Sequence, residues 1–349
     1  MKKISIKKNS PFILEESKTI FQAIKKIQDN KFKTLIVTRG KKLIGTLTDG
    51  DIRRGMLRGL DINTDISNVV NKRPVKKVIG KKQKTLKLEN IETSIIPCVD
   101  KSNKLKFLEV YSEDNSLTSL KKNVEIVLMA GGFGKRLMPL TKKIPKPLIK
   151  INKKTLLEII IGNFNKYGFF DFVLSTFYKS SKIKDYFFKK KLNNVKIKYI
   201  EEKSPLGTAG CLSLLNYKKV KQDILVHNGD VITDLNINNL LKFHRDTKSD
   251  ITVCAKESLN TSHFGQILFK GQKIKRIIEK PTEKNFINAG IYVLKKKIIK
   301  NLPKKYINMT TLIDAKISQG ANVKIYPIYE YWVDIGRKDT LKKIIEKTK

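Results

Sequence analysis

The first third of the chain has the pattern of a short mixed α/β region. From 17 to 28, apolar residues recur at the spacing of one helix face. Short β-branched runs at 34–38 and 43–47, separated by a glycine-containing turn, predict two strands of a hairpin. A second helix is predicted from about Ile52. The predicted order is therefore helix, strand, turn, strand and helix.

The remainder of the chain has the pattern of a larger α/β domain. Runs with the length and composition of buried strands lie at 125–128, 172–175, 195–200, 224–226 and 251–254. Stretches with helical spacing lie at 155–167, 183–189, 208–215, 237–247 and 338–346. This alternation is typical of a mostly parallel sheet that helices cover on both faces. Ligands of such sheets bind at the carboxyl ends of the strands.

A polar segment at 112–123, which includes Glu113, Asp114 and Asn115, separates the two patterns. With 349 residues, of which 40% are hydrophobic, the chain is long enough for two domains with cores of their own. We therefore expect one domain at 1–120 and a second at 121–349.

The composition is strongly basic, with 73 Lys and Arg against 32 Asp and Glu and a net charge of +41. Such a balance can indicate a nucleic-acid partner. The lysines, however, are spread over both halves and form no stripe with interleaved aromatic residues. We interpret them as solvated surface charge and expect no nucleic-acid partner.

Neither a disulfide framework nor a zinc site is indicated, because Cys98, Cys211 and Cys254 are far apart and have no neighbouring histidine pair. Buried thiols in a reducing cytoplasm are expected. The first residues carry charge without an apolar segment, and no run approaches the roughly 18 apolar residues of a membrane span. We expect a cytoplasmic protein with no membrane partner.

The predicted strand at 125–128 runs into the glycine-rich segment 129–137 (MAGGFGKRL). The backbone N–H groups of such a turn can approach a phosphate chain closely. The Walker pattern requires Ser or Thr where Arg136 follows Gly134 and Lys135, and the dinucleotide pattern requires a third glycine at Leu137. Both of those phosphate-binding classes are therefore excluded.

The same segment, G-G-x-G-x-R-L, is followed by PLT at 139–141 and PKPL at 145–148. This combination resembles the signature of the sugar-phosphate nucleotidyltransferases. Further motifs of that family recur in its order over 124–349: Glu202 with PLGTAG at 205–210, NGD at 228–230, HFG at 263–265, EKP at 279–281, NAGIY at 288–292 and WVDIG at 332–336. The resemblance implies a Rossmann-like, GT-A-like domain with a mixed sheet. It also implies an enzyme that joins a nucleoside triphosphate to a sugar 1-phosphate and releases pyrophosphate.

In that reaction a phosphate oxygen attacks the α-phosphorus in line, so catalysis depends on positioning and charge neutralisation. We expect Arg136 to bind the leaving β- and γ-phosphates and Lys146 to bind the α-phosphoryl group. By the resemblance, Asp230 and Asp334 share one Mg²⁺. The alternatives are surface cations for the two basic residues and strand-end turns for the two aspartates.

The resemblance also implies binding residues for both substrates. Those of the nucleotide are Met129, Ala130, Gly131, Gly132, Gly134, Glu202, Gly207 and Thr208. Those of the sugar phosphate are Gly265, Glu279, Lys280, Asn288 and Gly290. Lys280 would neutralise the phosphate and Glu279 would accept hydrogen bonds from sugar hydroxyls. A plain hairpin turn at 279–281 is the alternative for these two residues.

Histidine is not expected to take part in the chemistry. His227, His244 and His263 have no metal-ligand spacing, and an ionised sugar phosphate needs no strong general base. We expect His227 to pack on its strand.

In the first region, Gly45 and the T-x-x-D spacing of Thr48 and Asp51 resemble a CBS motif, which usually occurs as a tandem pair that binds adenine nucleotides. By that resemblance, Thr48 would contact a phosphate and Asp51 the ribose hydroxyls. The alternative is that both residues cap the helix before Ile52. A second, poorer copy would run from 74 to 114, with a strand at 105–110 but no Thr at 111–114. We expect an N-terminal tandem CBS pair with a regulatory role.

The base preference depends on Glu202. A carboxylate only accepts hydrogen bonds, and guanine offers the adjacent donors N1–H and N2–H₂. The PLGTAG segment also resembles the guanylyl and mannose-type members of the family, so GTP is the expected nucleotide. The whole architecture most resembles the glucosamine-1-phosphate guanylyltransferases of bacterial legionaminic acid biosynthesis. Mannose or heptose 1-phosphate with GTP, and glucose 1-phosphate with dTTP or UTP, stay open.

A catalytically silent protein that senses adenine nucleotides is the alternative from another functional class. Such a protein would be expected to have lost Arg136, Lys146 or one of the two aspartates, and all of them are present. A homodimer is left open.

Overall fold

The computed structural model describes residues 2–6, 10–30, 32–80, 95–110 and 123–347. The chain forms two compact units, Met1–Asn115 and Ser116–Lys349. Within the described ranges, no helix is long and apolar enough to cross a membrane. The three cysteines are free and buried, as predicted.

The first unit contains two small sheets and two α-helices among its described residues. Its elements are β1 (Lys2–Ser5), β2 (Ile13–Glu15), α1 (Ile20–Asp29), β3 (Thr34–Arg39), β4 (Lys42–Thr48), α2 (Asp49–Leu57), β5 (Lys77–Val78), β6 (Ile95–Val99) and β7 (Leu105–Val110). One sheet has the order β2-β3-β4 and the other β1-β7-β6-β5. The predicted order of helix, strand, turn, strand and helix is confirmed.

The first helix begins three residues later than predicted because of its cap. The Thr19 side chain accepts a hydrogen bond from the backbone of Gln22, and the Gln22 side chain accepts one from the Thr19 backbone. The apolar stripe that predicted the helix is its buried face: Ile20, Ala23, Ile24 and Ile27.

The second copy of the predicted CBS pair falls at 74–114, in the second half of this unit. The strand predicted at 105–110 is confirmed as β7 and pairs with β1 and β6. Residues 111–114, where the second copy lacks its Thr, lie outside the described residues, as do 81–94. A second CBS-like copy therefore stays a prediction.

The second unit is built on one large sheet with three small ones beside it. Its strands are β8 (Val124–Met129), β9 (Lys150–Ile151), β10 (Lys154–Thr155), β11 (Asp171–Thr176), β12 (Lys196–Glu201), β13 (Asp223–Asn228), β14 (Val231–Thr233), β15 (Ile251–Thr261), β16 (Gln266–Lys270), β17 (Lys273–Ile278), β18 (Thr282–Lys295), β19 (Val323–Ile328) and β20 (Trp332–Asp334). Its helices are α3 (Leu140–Lys143), α4 (Leu156–Lys166), α5 (Ser180–Lys189), α6 (Gly207–Gly210), α7 (Ile237–Asp246), α8 (Met309–Ser318) and α9 (Lys338–Lys347).

The large sheet has seven strands in the order β12-β11-β8-β13-β18-β15-β19. All neighbours pair in parallel except at β18, which runs against β13 and β15. Both faces are buried: Ile126 and Leu128 pack with α4, α5 and α7, whereas Val127 packs with α6 and α8 on the other side. The central strands β8 and β13 are mostly apolar because neither of their faces meets water, whereas the edge strand β12 alternates with exposed lysines. The expected mixed α/β sheet is confirmed, and β8, β11 and β13 end at the same edge.

The prediction of a helix at 208–215 is wrong for the second half of that segment. Only Gly207–Gly210 is α-helical, and a 3₁₀ turn follows at Cys211–Leu214. This segment packs directly on another piece of backbone: an ideal Cβ on Gly210 would lie 2.2 Å from the carbonyl oxygen of Lys305. Tertiary contact, rather than helical periodicity, sets the conformation here.

Several elements of the second unit were not predicted. They are the helices α3 and α8 and the strands β9, β10, β14, β16, β17, β18, β19 and β20, of which β18 has 14 residues and β16 and β17 form a ribbon. The ribbon is exposed along almost its whole length, so its sequence carries no buried-strand pattern.

Candidate active site

The glycine-rich segment leaves β8 at the edge of the sheet and turns sharply at Gly134. That residue has φ of 64°, in the left-handed region that glycine adopts without a steric penalty. An ideal Cβ there would lie 2.7 Å from Thr141 Cγ2 and 3.2 Å from Lys146 Cβ. The Thr141 hydroxyl donates to the Gly134 carbonyl at 2.9 Å. The loop and the turn that carries Lys146 are therefore packed against each other.

Arg136 is presented by a 3₁₀ turn, Lys135–Leu137. Leu137 is fully buried in a cluster with Ile335, and Arg136 is exposed beside it. This packing brings the guanidinium to Gly336, where an ideal Cβ would lie 3.2 Å from Arg136 Nη1 and 3.0 Å from Asp334 Oδ1. Within the described part of the chain, the Arg136 side chain has no hydrogen-bonded partner, so it is available to an anion.

Lys146 lies in a second 3₁₀ turn, Lys146–Leu148, between the buried Pro145 and Pro147. Its side chain is 11% exposed, and its Nζ lies 2.5 Å from Asp230 Oδ2. The ring of each proline fixes its own backbone φ, so the chain on both sides of the lysine is restricted. The cation is directed at the predicted metal-binding carboxylate.

Asp334 lies on β20, and Asp230 lies in the turn that leads from β13 into β14, the strand that pairs with β20. Asp334 ends β20 and is paired with Val231 of β14, while the Ile335 N–H donates to the Asp230 carbonyl at 2.8 Å. Gly229 permits the approach of β13 to β8, because an ideal Cβ there would lie 2.1 Å from the Met129 carbonyl oxygen. The structure thus brings the two predicted carboxylates together beside the glycine-rich segment.

The electrostatics of the pair suit a cation. Asp334 Oδ1 is buried and has no hydrogen-bond partner among the described residues. Burial and the neighbouring Asp230 raise the pKa of Asp334, against the opposing effect of Lys146, Arg136 and Arg337. A hard divalent cation would supply the missing partner and relieve the repulsion. Among the described residues, no group of three or more His, Cys, Asp or Glu side chains is placed to hold a metal ion.

Glu202 lies beneath the glycine-rich segment and is 7% exposed. Its Oε1 accepts from the Ser175 hydroxyl at 2.8 Å, and its Oε2 accepts from the Leu206 N–H at 2.9 Å. An ideal Cβ on Gly131 would lie 3.0 Å from Oε1. The carboxylate therefore borders the predicted phosphate-binding loop, with one acceptor position left on each oxygen.

The other two predicted nucleotide contacts of this segment have roles within the fold. Gly207 has φ of 73°, and an ideal Cβ on it would lie 2.6 Å from the Ile307 carbonyl oxygen. The Thr208 hydroxyl accepts from the Met309 N–H at 2.8 Å and so caps α8. Sequence reasoning could not separate these packing roles from ligand binding.

The predicted sugar-phosphate residues fall into two groups. Gly265 and Glu279 lie together, since an ideal Cβ on Gly265 would be 3.2 Å from Glu279 Oε2. Lys280 is exposed, with φ of 44°. The segment 279–281 is indeed a turn, but it connects β17 to β18, which belong to different sheets.

Asn288 and Gly290 form the second group, next to the edge at which β13 ends. The Asn288 Oδ1 accepts from the Gly290 N–H at 3.0 Å and from the Tyr292 hydroxyl at 2.9 Å. Gly290, with φ of 72°, faces the side-chain amide of Asn228, only two residues before Asp230. Asn228 Oδ1 is buried without a partner in the described part of the chain, which makes it a further polar group at this edge.

Sequence reasoning missed Ser175 and Arg337. Nothing in the motif pattern marked Ser175, since its role depends on a contact across two strands. Arg337 could have been found as the cation that directly follows WVDIG. The interpretation of His227 is confirmed: it is buried against Phe164, with ring centroids 5.6 Å apart, and burial lowers its pKa to about 4.

In the first unit, Thr48 and Asp51 form a capping box at the start of α2. The Thr48 N–H and hydroxyl donate to Asp51 Oδ2 at 2.8 and 2.7 Å, and Arg54 Nη2 lies 2.5 Å from Asp51 Oδ1. The capping interpretation is confirmed. The same helix lines a cavity of about 570 Å³, whose wall is formed by Asp51, Arg54, Leu57, Arg58 and residues 68–71.

Among the known proteins similar to this chain are sugar-phosphate guanylyltransferases. D-glycero-alpha-D-manno-heptose 1-phosphate guanylyltransferase of Aneurinibacillus thermoaerophilus is 28% identical over 226 residues, which are 63% of this chain and 96% of that protein. Mannose-1-phosphate guanyltransferase of Emericella nidulans is 30% identical over 230 residues, 62% of each. The chain spans about 60% of the length of such mannose-1-phosphate relatives.

Among solved structures, HddC from Yersinia pseudotuberculosis is similar, with a TM-score of 0.53 and 28% identity over 64% of this chain and 99% of that one. HddC has also been solved in complex with GMP-PN. The CBS domain profile matches residues 3–58 of this chain. The family profile described as nucleotidyl transferase matches residues 125–349, and the chain therefore belongs to the nucleotidyl transferase family.

Proposed function

We propose that this protein transfers a guanylyl group from GTP to a sugar 1-phosphate and releases pyrophosphate. The observation that carries the proposal is the convergence of Arg136, Lys146, Asp230 and Asp334 beside the glycine-rich segment. Two cations and two carboxylates beside the edge at which the parallel strands β8 and β13 end are what a phosphoryl-type transfer between two anionic substrates requires.

The proposed step is an in-line displacement. An oxygen of the sugar phosphate forms a bond to the α-phosphorus of GTP as the bond from that phosphorus to the pyrophosphate oxygen breaks. We assign the free guanidinium of Arg136 to the leaving pyrophosphate and the Lys146 ammonium to the α-phosphoryl oxygens. The attacking oxygen is already ionised, so no side chain needs to remove a proton.

We further propose that Asp230 and Asp334 hold one Mg²⁺. The support is the unpartnered Oδ1 of Asp334 and the raised pKa of that carboxyl, which is caused by burial and by Asp230. When bound, Mg²⁺ would neutralise and orient phosphate oxygens. Because Mg²⁺ usually keeps several water and substrate ligands, two protein carboxylates are sufficient for it.

GTP is proposed as the nucleotide on the basis of Glu202. Both carboxylate oxygens are held by donors of the protein and keep one acceptor position each, which suits the N1–H and N2–H₂ donors of guanine. The names of the similar proteins, which are guanylyltransferases, support the same choice. A thymine or uracil edge offers the single donor N3–H between two carbonyl oxygens, so it cannot present two adjacent donors to this carboxylate.

We expect Glu202→Gln to lower kcat/KM for GTP by roughly tenfold or more. The ratio of kcat/KM for GTP to that for dTTP is expected to fall as well. The amide places a donor against Ser175 or Leu206, which already donate there, and removes one acceptor for the base. Steady-state pyrophosphate release with each nucleotide measures the effect. Glu201→Gln is the matched control, because Glu201 is exposed and pairs with Lys184. An unchanged nucleotide ranking in Glu202→Gln would remove this residue from base selection.

Glucosamine 1-phosphate is proposed as the sugar substrate, in a pathway that makes nucleotide sugars for legionaminic acid or other surface glycans. The support is the arrangement of a CBS domain ahead of the transferase. Mannose 1-phosphate is equally compatible with the similar proteins, and a heptose 1-phosphate is compatible with one of them. We assign Lys280 to the substrate phosphate and Glu279 and Asn288 to sugar hydroxyls.

An adenine nucleotide is proposed as the ligand of the first unit, where it would regulate the enzyme. The supporting feature is the cavity beside α2, in which Arg54 and Arg58 lie one helical turn apart and could bind phosphates. In this proposal Asp51 would both contact the ligand and stabilise the fold, since its carboxylate already caps α2 and pairs with Arg54.

Calorimetric titration with AMP and ATP is expected to show binding to the full chain, and Arg58→Gln is expected to weaken it by roughly tenfold through loss of a charged hydrogen bond. Arg58 is a better test than Asp51, whose replacement would also cost about 1 kcal/mol of helix capping. Arg73→Gln, an exposed arginine outside the cavity wall, is the matched control. No heat with either nucleotide would defeat the proposal.

A further inference from the structure

We propose that Ser175 is a positioning residue that sets the guanine preference by orienting the Glu202 carboxylate. The inference rests on the proposed function and extends it to a residue that lies outside every sequence motif of the site. Ser175 is placed to hold the carboxylate but not to touch the base.

Ser175 lies near the end of β11, at the point where the glycine-rich segment and Glu202 meet. It is fully buried and is paired with Met129 of β8 on one side and Ile200 of β12 on the other. Its carbonyl accepts from the Ala130 N–H at 2.8 Å, and its hydroxyl donates to Glu202 Oε1 at 2.8 Å. One residue thus fixes both the start of the loop and one oxygen of the carboxylate.

The carboxylate is held at two points. Oε1 accepts from Ser175, and Oε2 accepts from the Leu206 N–H at 2.9 Å. The terminal torsion of a glutamate has a broad, shallow preference, so rotamer energetics alone do not fix the plane of the group. Two hydrogen bonds to different oxygens do fix it. The remaining acceptor positions of the carboxylate therefore have a defined direction.

A fixed plane matters most for a ligand with two adjacent donors. Guanine presents N1–H and N2–H₂ side by side, and both can be satisfied only if the two carboxylate oxygens face the base edge together. Hypoxanthine has N1–H but lacks the 2-amino group. The ratio of kcat/KM for GTP to that for ITP therefore reports the alignment of the carboxylate rather than overall activity.

Removing the Ser175 hydroxyl should reduce that ratio. A hydrogen bond to a charged group contributes about 1.5–3 kcal/mol, and without it the carboxylate can rotate about its terminal torsion. We expect Ser175→Ala to lower the GTP-to-ITP ratio by roughly tenfold while the KM for the sugar 1-phosphate stays close to wild type. A purely structural role would reduce activity with both nucleotides and leave their ratio unchanged.

Thr176→Val is the matched control. Thr176 is the next residue of β11 and is also fully buried, but its hydroxyl is bonded to Ser180 and lies near the Ile200 carbonyl. Its carbonyl accepts from the Glu202 N–H at 2.9 Å, but its hydroxyl makes no hydrogen bond to the Glu202 carboxylate among the described residues. This variant loses a buried hydroxyl of the same strand and is expected to keep the wild-type ratio, whatever its thermal stability.

The experiment measures kcat/KM of the full chain with GTP, ITP and dTTP at one saturating sugar 1-phosphate. A wild type that does not prefer GTP over ITP and dTTP contradicts the proposed nucleotide, and with it this inference. A wild type that prefers GTP, together with an unchanged ratio in Ser175→Ala, overturns the role of Ser175 alone. If Ser175→Ala does not fold, Ser175→Cys carries the test: a thiol is a weak donor, so the ratio must still fall by at least roughly threefold.

Discussion

Asp230→Asn and Asp334→Asn are each expected to lower kcat by about 10²-fold or more, a loss of about 2.7 kcal/mol of transition-state stabilisation. Each substitution replaces a charged oxygen ligand by a neutral amide, and the described residues contain no group of three or more His, Cys, Asp or Glu side chains that could hold the metal ion instead. The measurement is pyrophosphate release at saturating nucleotide, sugar phosphate and Mg²⁺. Asp234→Asn, an exposed aspartate that follows β14, is the matched control.

The stability of these variants separates a functional role from a structural one. Burial and Asp230 raise the pKa of Asp334 above its ordinary value, so the ionised carboxylate opposes folding at neutral pH. Asp334→Asn is therefore expected to keep or raise the unfolding temperature measured without Mg²⁺. Near-normal turnover in either variant would exclude that aspartate from the site, and a fall in unfolding temperature would indicate a structural role for Asp334.

Lys146→Met is expected to lower kcat by about 10²–10³-fold, the range found when one preorganised donor to a developing anion is removed. The lysine side chain is only 11% exposed and is held at 2.5 Å from Asp230, so no neighbouring surface lysine can replace it. The substitution also removes a positive charge from beside Asp230 and Asp334, which increases their mutual repulsion.

Lys150→Met provides the comparison for Lys146, because Lys150 is an exposed lysine at the start of β9, in the same stretch of chain. Burst and steady-state kinetics together distinguish loss of chemistry from loss of binding. If Lys146→Met raises only the KM for GTP and leaves kcat unchanged, the lysine binds the nucleotide without stabilising the transition state.

The residues of the candidate active site can be marked by a sequence pattern, because they are tied to local chain geometry. Gly134 adopts a left-handed turn, Lys146 lies between two prolines, and Asp230 follows a buried strand. Each of these features is encoded within a few residues of sequence. The pairing of Asp230 with Asp334 came from the family resemblance, and the β14–β20 pairing provides its structural basis.

The supporting contacts could not be predicted, because they join residues that are distant along the chain. Ser175 reaches Glu202 across 27 positions, and Thr208 caps a helix that begins 101 positions later. A periodic pattern reports which face of an element is buried but not which side chain lies opposite. The same limit explains the segment 208–215, where contact with Lys305 ends the α-helix early.

The T-x-x-D of the first unit shows a different kind of ambiguity. The spacing that places Thr48 and Asp51 near a nucleotide in the CBS resemblance is also the spacing of a capping box, and here the capping bonds are formed. A sequence pattern alone cannot choose between these roles, because one hydroxyl and one carboxylate can serve either.

The central claim is tested most directly by pyrophosphate release from the full chain with Mg²⁺, in a grid of GTP, dTTP, UTP, CTP and ATP against glucosamine, mannose and glucose 1-phosphates. We predict release with GTP at a kcat/KM at least roughly tenfold above that of any other nucleotide, with glucosamine 1-phosphate as the best of these sugars. Release with mannose 1-phosphate in its place would change only the proposed sugar. No release with any pair in the grid would contradict the proposed enzyme, and equal use of dTTP or UTP would contradict the role of Glu202 in base selection.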